Sequence, residues 1–350
     1  MPFLWTQGEE KAALESEIDS IYRAGIRAFI VESRTHPDFC GEGWWRDMDI
    51  VLEKAKSLGM RVWVLDDKHY PTGWANDKIA EHPELAQWHI AERIADVFGG
   101  RNKRLRILGY RKGDTLLFAA AYPYRDDEIA YKSPIEFTDR FRNGFLYFDL
   151  PEVPYRIVTI WKTPVGGREN RIDMINPESV GLLLNVVYEP HYARYKELFG
   201  NTFAGFFSDE PGFFNDYNIV NVKKGSAYEN KLGCEGLAYP ISDELLNRLY
   251  ALPLGVMPGD LIALWALRDE RDSEIRCAYM NILTDLYAEN FSGNIGKWCN
   301  ERGVQYIGHV VEDMNCHMHL GCGAGHYFKS QTGQDMAGID NVLPPLETGV

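Results

Sequence analysis

The sequence predicts an α/β protein of the (β/α)8 (TIM) barrel type, and three observations lead to that prediction. Short apolar segments alternate with amphipathic helical segments, a spacing that implies parallel strands joined by right-handed crossovers. Several apolar segments end in acidic residues, at the strand ends where barrels carry their chemistry. The central segment, residues 203–211, has five apolar residues followed by Ser-Asp-Glu-Pro. Such a continuous apolar run is typical of a strand that is buried on both faces.

Length and composition limit the classes of partner. A chain of 350 residues can form one large domain or two smaller ones. Its aromatic content of 13%, with nine Trp and nineteen Tyr, exceeds what a core needs and favours a ligand cleft lined by rings. The net charge of −14 argues against a nucleic-acid partner. No run of about 18 apolar residues is present, so no membrane span is predicted.

Two features of the sequence favour a cytoplasmic location. The first five residues, Met-Pro-Phe-Leu-Trp, lack the basic region of a signal peptide. The six cysteines contain no CxxC pair, and reduced thiols in an intracellular protein are expected. We therefore expect a cytoplasmic protein whose cysteines form no disulfide framework.

Strands and helices alternate in the first 67 residues. Predicted strands lie near residues 3–6, 26–31 and 61–65, with helices at 9–24 and 47–58 and a loop that contains Trp44 and Trp45. Glu32 follows the second strand, and Asp66 and Asp67 follow the third. Parallel strands end at one edge of the sheet. We therefore expect Glu32, Asp66 or Asp67, and Glu210 to converge there.

The middle of the chain interrupts this alternation. Residues 82–98 are predicted to be helical, and Gly99-Gly100 ends that helix. From about residue 103 to 167, short alternating runs are separated by turn residues, including the hairpin signal Asn143-Gly144. The prediction is a barrel domain of residues 1–102 and 168–350, with residues 103–167 as an antiparallel β insertion.

The alternation resumes in the second half. A helical stripe at 176–200 is predicted to kink at Pro190. Helices at 245–249, 261–267 and 273–300 precede a strand at 304–311, which Glu312 follows, and a last strand near 337. The sequence thus predicts six barrel-type strands, whereas a closed barrel needs eight. Either two strands have no clear signal in the sequence, or the barrel is open, or it is incomplete at the C-terminus. We favour the last of these three alternatives.

Three motifs resemble the barrel of glycoside hydrolases related to family 106, the α-L-rhamnosidases, and more loosely clan A. The first is Asp-Asp-Lys-His-Tyr-Pro-Thr-Gly-Trp at 66–74. The second is Asn176-Pro177-Glu178 with the later Phe-Phe-Ser-Asp-Glu-Pro at 206–211. The third is Gly-His-Val-Val-Glu-Asp at 308–313 with Gly-Ile-Asp at 338–340. The resemblance covers most of the chain.

This resemblance implies a pair of catalytic carboxylates. The clan places its acid/base Glu beside Asn on the fourth strand; here Glu210 matches the acid, with Asp209 as its neighbour. The clan's nucleophile belongs to a seventh strand, which this chain lacks. Glu312 is the best remaining partner for Glu210. If Glu312 is the base, the enzyme would be inverting, with the two carboxyls ~6.5–9.5 Å apart.

The remaining predicted site residues would bind the carbohydrate substrate. The acidic and histidine side chains expected to hold sugar hydroxyls are Glu32, Asp66, Asp67, Asp209, His309 and Asp340. Trp45 and Trp74 would stack on sugar faces, although tryptophans pack more commonly in a core. No cofactor or metal is predicted. A Ca²⁺ requirement and the oligomeric state stay open.

Two alternative functions also fit the sequence. The loop 309–326 carries the pair His317 and His319 together with further histidines and cysteines, a set that a metal-dependent hydrolase could use. Metal hydrolases on barrels carry such a pair on the first strand, however, and here it follows the fifth. The second alternative is a non-catalytic carbohydrate-binding barrel, because binding and catalysis use the same residue types.

Overall fold

The computed structural model describes residues 1–125, 128–165, 170–213, 237–266, 268–310 and 321–340. Within these ranges the chain is a mixed α/β protein with one parallel and one antiparallel sheet. The strands are β1 (Phe3–Thr6), β2 (Ala28–Ser33), β3 (Arg61–Leu65), β4 (His89–Arg106), β5 (Thr115–Arg125), β6 (Glu128–Ile129), β7 (Ile135–Glu136), β8 (Phe141–Arg142), β9 (Phe145–Thr163), β10 (Phe203–Asp209), β11 (Ala238–Pro240), β12 (Gln305–His309) and β13 (Met336–Ala337).

The helices lie between and around the strands of the parallel sheet. The α-helices are α1 (Lys11–Arg23), α2 (Glu42–Ser57), α3 (Pro177–Leu183), α4 (Glu189–Tyr195), α5 (Asp243–Tyr250), α6 (Glu270–Tyr287), α7 (Gly293–Glu301) and α8 (Tyr327–Ser330). None of these helices combines the length and the apolar character needed to cross a bilayer.

Six strands form the parallel sheet, in the order β1-β2-β3-β10-β12-β13. Neighbours pair in parallel throughout, for example Phe206 of β10 with Val64 of β3 and with Tyr306 of β12. The six strands predicted from apolar runs are therefore confirmed as one parallel sheet. The strands β1 and β13 are the two edges of this sheet in the described part of the chain, where no closed eight-stranded barrel is formed.

Side chains alternate between the two faces of this sheet, as the two-residue period of a strand requires. On β10, Phe206 belongs to the large core beneath the helices, whereas Phe207 belongs to a small cluster on the opposite, inner face. Phe203 and Ala204 repeat this pair three residues earlier, because the strand is irregular between Phe203 and Gly205. This inner cluster also contains residues of the adjacent strands: Ile30, Trp63, Leu65 and Ile307. Apolar residues thus cover both faces, which explains the continuous runs in the sequence.

Gly205 allows the central strand to approach β12 closely. A Cβ atom built at this position would lie 1.8 Å from the carbonyl oxygen of Gln305. The pairing of β10 with β3 also shifts register between Phe203 and Gly205. A glycine inside a strand commonly marks such a bulge or close backbone approach.

The antiparallel sheet occupies the middle of the chain. Its strands are ordered β11-β4-β9-β5-β6, and β7 and β8 pair with β5 and β9. The prediction of a helix at 82–98 is wrong, because β4 begins at His89 and pairs with β9 along most of its length. Cross-strand pairing outweighed the local helical pattern there. The boundaries of the predicted insertion, 103–167, stay a prediction.

Two helical segments differ from the sequence-based expectation. The helix α2 begins at Glu42, so that Trp44 and Trp45 lie within it rather than in a loop. Between α3 and α4, residues Leu184–Tyr188 form a π-helical turn directly before Pro190. The backbone irregularity expected at the proline is therefore a widened helical turn.

Candidate active site

Three of the predicted site residues point from the inner face of the parallel sheet at its C-terminal edge. Glu32 ends the inward-facing series of β2, and Asp209 and His309 end those of β10 and β12. Asp209 and His309 are paired across the two strands. All three side chains are buried. The strand alternation that buries the apolar inner cluster thus also groups these polar residues.

Asp209 is held between a histidine and a turn. The Nε2 atom of His309 lies 2.9 Å from Oδ1 of Asp209. The backbone of Asp209 is tied to Thr72, which donates its N–H to the Asp209 carbonyl and whose hydroxyl accepts from the Asp209 N–H. The loop after β3 therefore fixes the position of the Asp209–His309 pair.

Glu32 lies beside Arg34 on the same side of the sheet. The Arg34 Nε atom lies 2.6 Å from Oε1 of Glu32. Burial raises the pKa of Glu32 to about 7 and the negative charge of Asp209 acts in the same direction, although Arg34 lowers it. The guanidinium group of Arg34 lies 4.9 Å from the ring centroid of Trp5 and 5.7 Å from that of Tyr70. Glu32 can therefore exist as a carboxylate or as a carboxylic acid near neutral pH.

Glu210 occupies a strained position directly after β10. Its φ of 42° is in the left-handed region, which is uncommon for a residue other than glycine. The side chain is buried, and the hydroxyl of Tyr70 donates a hydrogen bond to Oε2. Strained backbone of this kind costs roughly 1–3 kcal/mol and is concentrated at functional sites. Glu210 is thus a buried carboxyl group held in a fixed orientation.

A cavity of about 600 Å³ opens beside these residues. Its polar lining consists of Glu32, Arg34, Asp209, His309 and Asp340, and its apolar lining includes Phe207 and the ring of Trp5. This volume is in the range of small-molecule sites. Glu210 is not one of the lining residues. It directly follows Asp209, which is one, and its partner Tyr70 lies near Arg34, which is another.

Asp66 lies on the other side of the sheet from the cavity. It follows Leu65, an inward-facing residue, so the alternation turns Asp66 toward the helices. Its fully buried carboxylate accepts hydrogen bonds from the hydroxyls of Thr72, Tyr188 and Ser208. The predicted contact of Asp66 with sugar hydroxyls is not what the geometry supports, because these three groups already bind the carboxylate.

Asp67 organises the loop that follows β3. Its carboxylate accepts five backbone N–H bonds of 2.6–3.0 Å, which are donated by Lys68, Gly73, Trp74, Ala75 and Asn76. Both oxygens are therefore engaged within the loop, and the structure gives Asp67 a positioning function rather than the predicted substrate contact. The same loop carries Tyr70 and Thr72, the partners of Glu210 and Asp209.

The two predicted tryptophans lie apart from the cavity lining. Trp45 is buried beneath α4, with ring contacts to His191 and Tyr195, and belongs to the helix-side core. The sequence predicted a loop at Trp45, but α2 begins at Glu42, and Trp45 therefore lies in a helix and packs in the core. Trp74 packs on the Arg171 guanidinium, 4.2 Å from its ring centroid, and against His69. The structure does not bring either ring together with Glu32, Asp209 and His309.

Of the two remaining predicted site residues, Asp340 is among the described residues and Glu312 is not. Asp340 lines the cavity, and its contact with substrate stays a prediction. Glu312, the predicted base, lies outside the described residues, as do His317 and His319 of the alternative metal site. Among the described residues, no group of three or more His, Cys, Asp or Glu side chains is arranged to hold a metal ion.

Trp5, Arg34 and Tyr70 also belong to the candidate site, although none of them was predicted from the sequence. Trp5 lies two residues after Phe3 on β1, and both are exposed while Leu4 and Thr6 are buried. Arg34 lies two residues beyond Glu32. The two-residue period of a strand could have identified both, whereas the contact of Tyr70 with Glu210 joins segments 140 residues apart.

No protein-family model matches the sequence, and no curated protein matches it. Eight chains of solved structures are similar to it. One of them, a rhamnosidase from Novosphingobium sp. PP1Y, superimposes with a TM-score of 0.58 at 11% sequence identity. The similarity covers 95% of this chain but only 47% of the rhamnosidase chain, so this sequence spans about half the length of that protein. At such low identity the likeness shows that the two chains share a fold.

Proposed function

We propose that this protein is a glycoside hydrolase in which Glu210 protonates the leaving oxygen of a carbohydrate substrate. The observation that carries the proposal is the buried carboxyl of Glu210, on strained backbone, beside a cavity lined by Glu32, Asp209 and His309. A general acid must be held within hydrogen-bond reach of the atom that it protonates. The fold shared with a rhamnosidase supports the same reaction class.

The cavity side chains are suited to bind a sugar ring. Asp209 and His309 supply hydrogen-bonding groups, the pair Glu32 and Arg34 supplies both an acceptor and donors, and the ring of Trp5 offers an apolar face. Carbohydrates present hydroxyls on their edges and C–H groups on their faces, so a mixture of such groups is needed. We propose Glu312 as the catalytic base. We also propose that the parallel sheet is part of a (β/α)8 barrel.

Substitution of Glu210 tests the proposal. In Glu210→Gln the shape is retained and the proton donor is lost, so hydrolysis of an alkyl glycoside should slow by ~10²–10⁴-fold, the usual contribution of a general acid. A dinitrophenyl glycoside, whose leaving group needs no proton, should be hydrolysed nearly as fast as by the unmodified protein. Rhamnosides are the first substrates to test, because the similar structure is that of a rhamnosidase.

Glu32→Gln is the matched control, since it removes a buried carboxyl of the same cavity that is not the proposed acid. It should raise KM for both substrates by a similar factor and leave their kcat ratio unchanged. Equal loss of activity on both substrates in Glu210→Gln would contradict the assignment of the acid. Binding of glycosides without hydrolysis by the unmodified protein would instead support the carbohydrate-binding alternative.

A further inference from the structure

A second cavity, of about 410 Å³, lies on a different part of the molecule. It is lined by residues at the N-terminus of α3, at the start of α5, on β9 and on α6, and it shares no lining residue with the candidate active site. We call it the Asp173 cavity; the residues that matter here are Trp88, Lys162, Asp173, Asn176, Asp243 and Asn290.

Asp173 is the buried polar group of this cavity. Its side chain is only 3% exposed, and its Oδ1 accepts a hydrogen bond from the backbone N–H of Ile175 at 3.1 Å. The backbone N–H of Asp173 donates to Ser179 Oγ, which fixes the position of the residue. Within the described residues, its second carboxyl oxygen has no hydrogen-bond partner. A carboxyl oxygen of a cavity-lining residue that has no protein partner is available to accept from a ligand.

The two asparagines of the lining leave both donors and an acceptor for a ligand. Asn176 uses its Oδ1 to cap α3, so its amide N–H groups remain for a ligand. Asn290 uses its Nδ2 to bind the carbonyl of Ile175, so its Oδ1 remains as an acceptor. Burial raises the pKa of Asp173 to about 7, although Lys162 lowers it, and the carboxyl can therefore donate as well as accept near neutral pH. A hydroxyl group, which is both a donor and an acceptor, matches this mixture.

The charges of the side chains that line the cavity disfavour an anionic ligand. The ammonium of Lys162 is 2.5 Å from Asp243 Oδ1 and lies 5.3 Å from the ring centroid of the half-buried Trp88. Arg248 is likewise paired, with Glu244 and Glu289. Both cations are thus paired with carboxylates, and the lining also contains Glu84 and Asp173, so an anionic ligand is disfavoured. No metal-holding group of side chains is found here or elsewhere in the described chain.

We propose that the Asp173 cavity is a second binding site, which takes a neutral polyhydroxylated ligand such as a single sugar unit. It goes beyond the proposed function, because the site contains no residue assigned to hydrolysis and its occupancy is measured by binding alone. Asp173, Asn176 and Asn290 would bind ligand hydroxyls, and Trp88 would form the apolar wall. Failure of Glu210 as a general acid would leave this site unaffected.

The test uses the full chain labelled with 5-fluorotryptophan and followed by ¹⁹F NMR. The resonance of Trp88 is identified by its loss in Trp88→Phe. The probes are methyl α-L-rhamnoside and D-glucose as neutral sugars, glucosamine as the cationic analogue and glucuronate as the anionic one. We expect the neutral sugars to shift the Trp88 resonance with saturation in the millimolar range, and glucuronate to bind at least several-fold more weakly.

Two variants test the named contacts. Asp173→Asn keeps the acceptor for Ile175, and Asn176→Ser keeps a side chain that can cap α3. Each should weaken neutral-sugar binding by about 3- to 10-fold, the effect of one hydrogen bond. The matched control is Glu84→Gln, an acid of the same lining whose side chain is 67% exposed, which should change binding by less than about twofold.

Three results would overturn the proposal. The site would be excluded if the Trp88 resonance stays unchanged up to about 100 mM of every neutral sugar, because a dissociation constant above this concentration corresponds to negligible binding. Equal affinity in the unmodified protein and in both variants would remove Asp173 and Asn176 from it. Tighter binding of glucosamine or glucuronate than of glucose would contradict the assignment of a neutral ligand.

Discussion

Replacement of Asp66 by Asn is expected to change how the stability of this protein depends on pH. Asp66 is completely buried behind the candidate active site and binds the hydroxyls of Thr72, Tyr188 and Ser208. Burial raises its pKa from the ordinary 3.8 to about 7, although those three hydroxyls lower it. Asn fills the same space without a charge, and the hydroxyls can rotate to accept from its amide.

The sign and size of the effect follow from proton linkage. Because the pKa of Asp66 is higher in the folded than in the unfolded state, the folded state binds the proton more tightly between pH 3.8 and about 7. The contribution of Asp66 to the free energy of unfolding is therefore fully present below pH 3.8 and is lost as the pH rises through about 7. Each pH unit of this window corresponds to about 1.4 kcal/mol, so the whole window amounts to about 4 kcal/mol.

The assay is denaturant unfolding of the unmodified protein and of Asp66→Asn at a series of pH values from about 4.5 to 7.5. The free energy of unfolding of the variant, relative to the unmodified protein, should rise by about 3 kcal/mol across that range. Glu32 and Asp173, which also have a raised pKa, are present in both proteins and cancel in the difference. A difference that stays constant with pH would refute the reasoning.

Three further substitutions test the assignments of the fold. Asp67→Asn should lower the free energy of unfolding by about 2–4 kcal/mol, because several of five backbone N–H groups lose their acceptor, and denaturant titration measures it. Gly205→Ala should cost about 3 kcal/mol or more, since the added methyl meets the Gln305 carbonyl; an unchanged melting temperature would exclude this clash. Trp45→Phe should lower the melting temperature but leave KM for glycosides within about twofold, because its contacts are in the helix-side core. A large rise in KM would restore Trp45 to the site.

Local patterns were sufficient wherever one face or both faces of a strand are buried. The apolar runs at β2, β3, β10 and β12 predicted the parallel sheet, and the acidic residues after them led to the prediction of a site at its C-terminal edge. They failed at β4, where residues 89–98 read as a helix but form part of a long antiparallel pair with β9. Pairing partners that lie far along the chain are not visible in a local pattern.

The sequence by itself predicted that Glu32, Asp66 or Asp67, and Glu210 would converge at one sheet edge, because parallel strands end together. Only the tertiary structure decided which acidic side chains face the cavity. Asp66 follows its strand one residue out of phase with Glu32 and Asp209 and turns toward Tyr188 behind the sheet. A difference of one residue reverses the face of a strand, and a carboxylate is available to a ligand only where folding leaves its oxygens unoccupied.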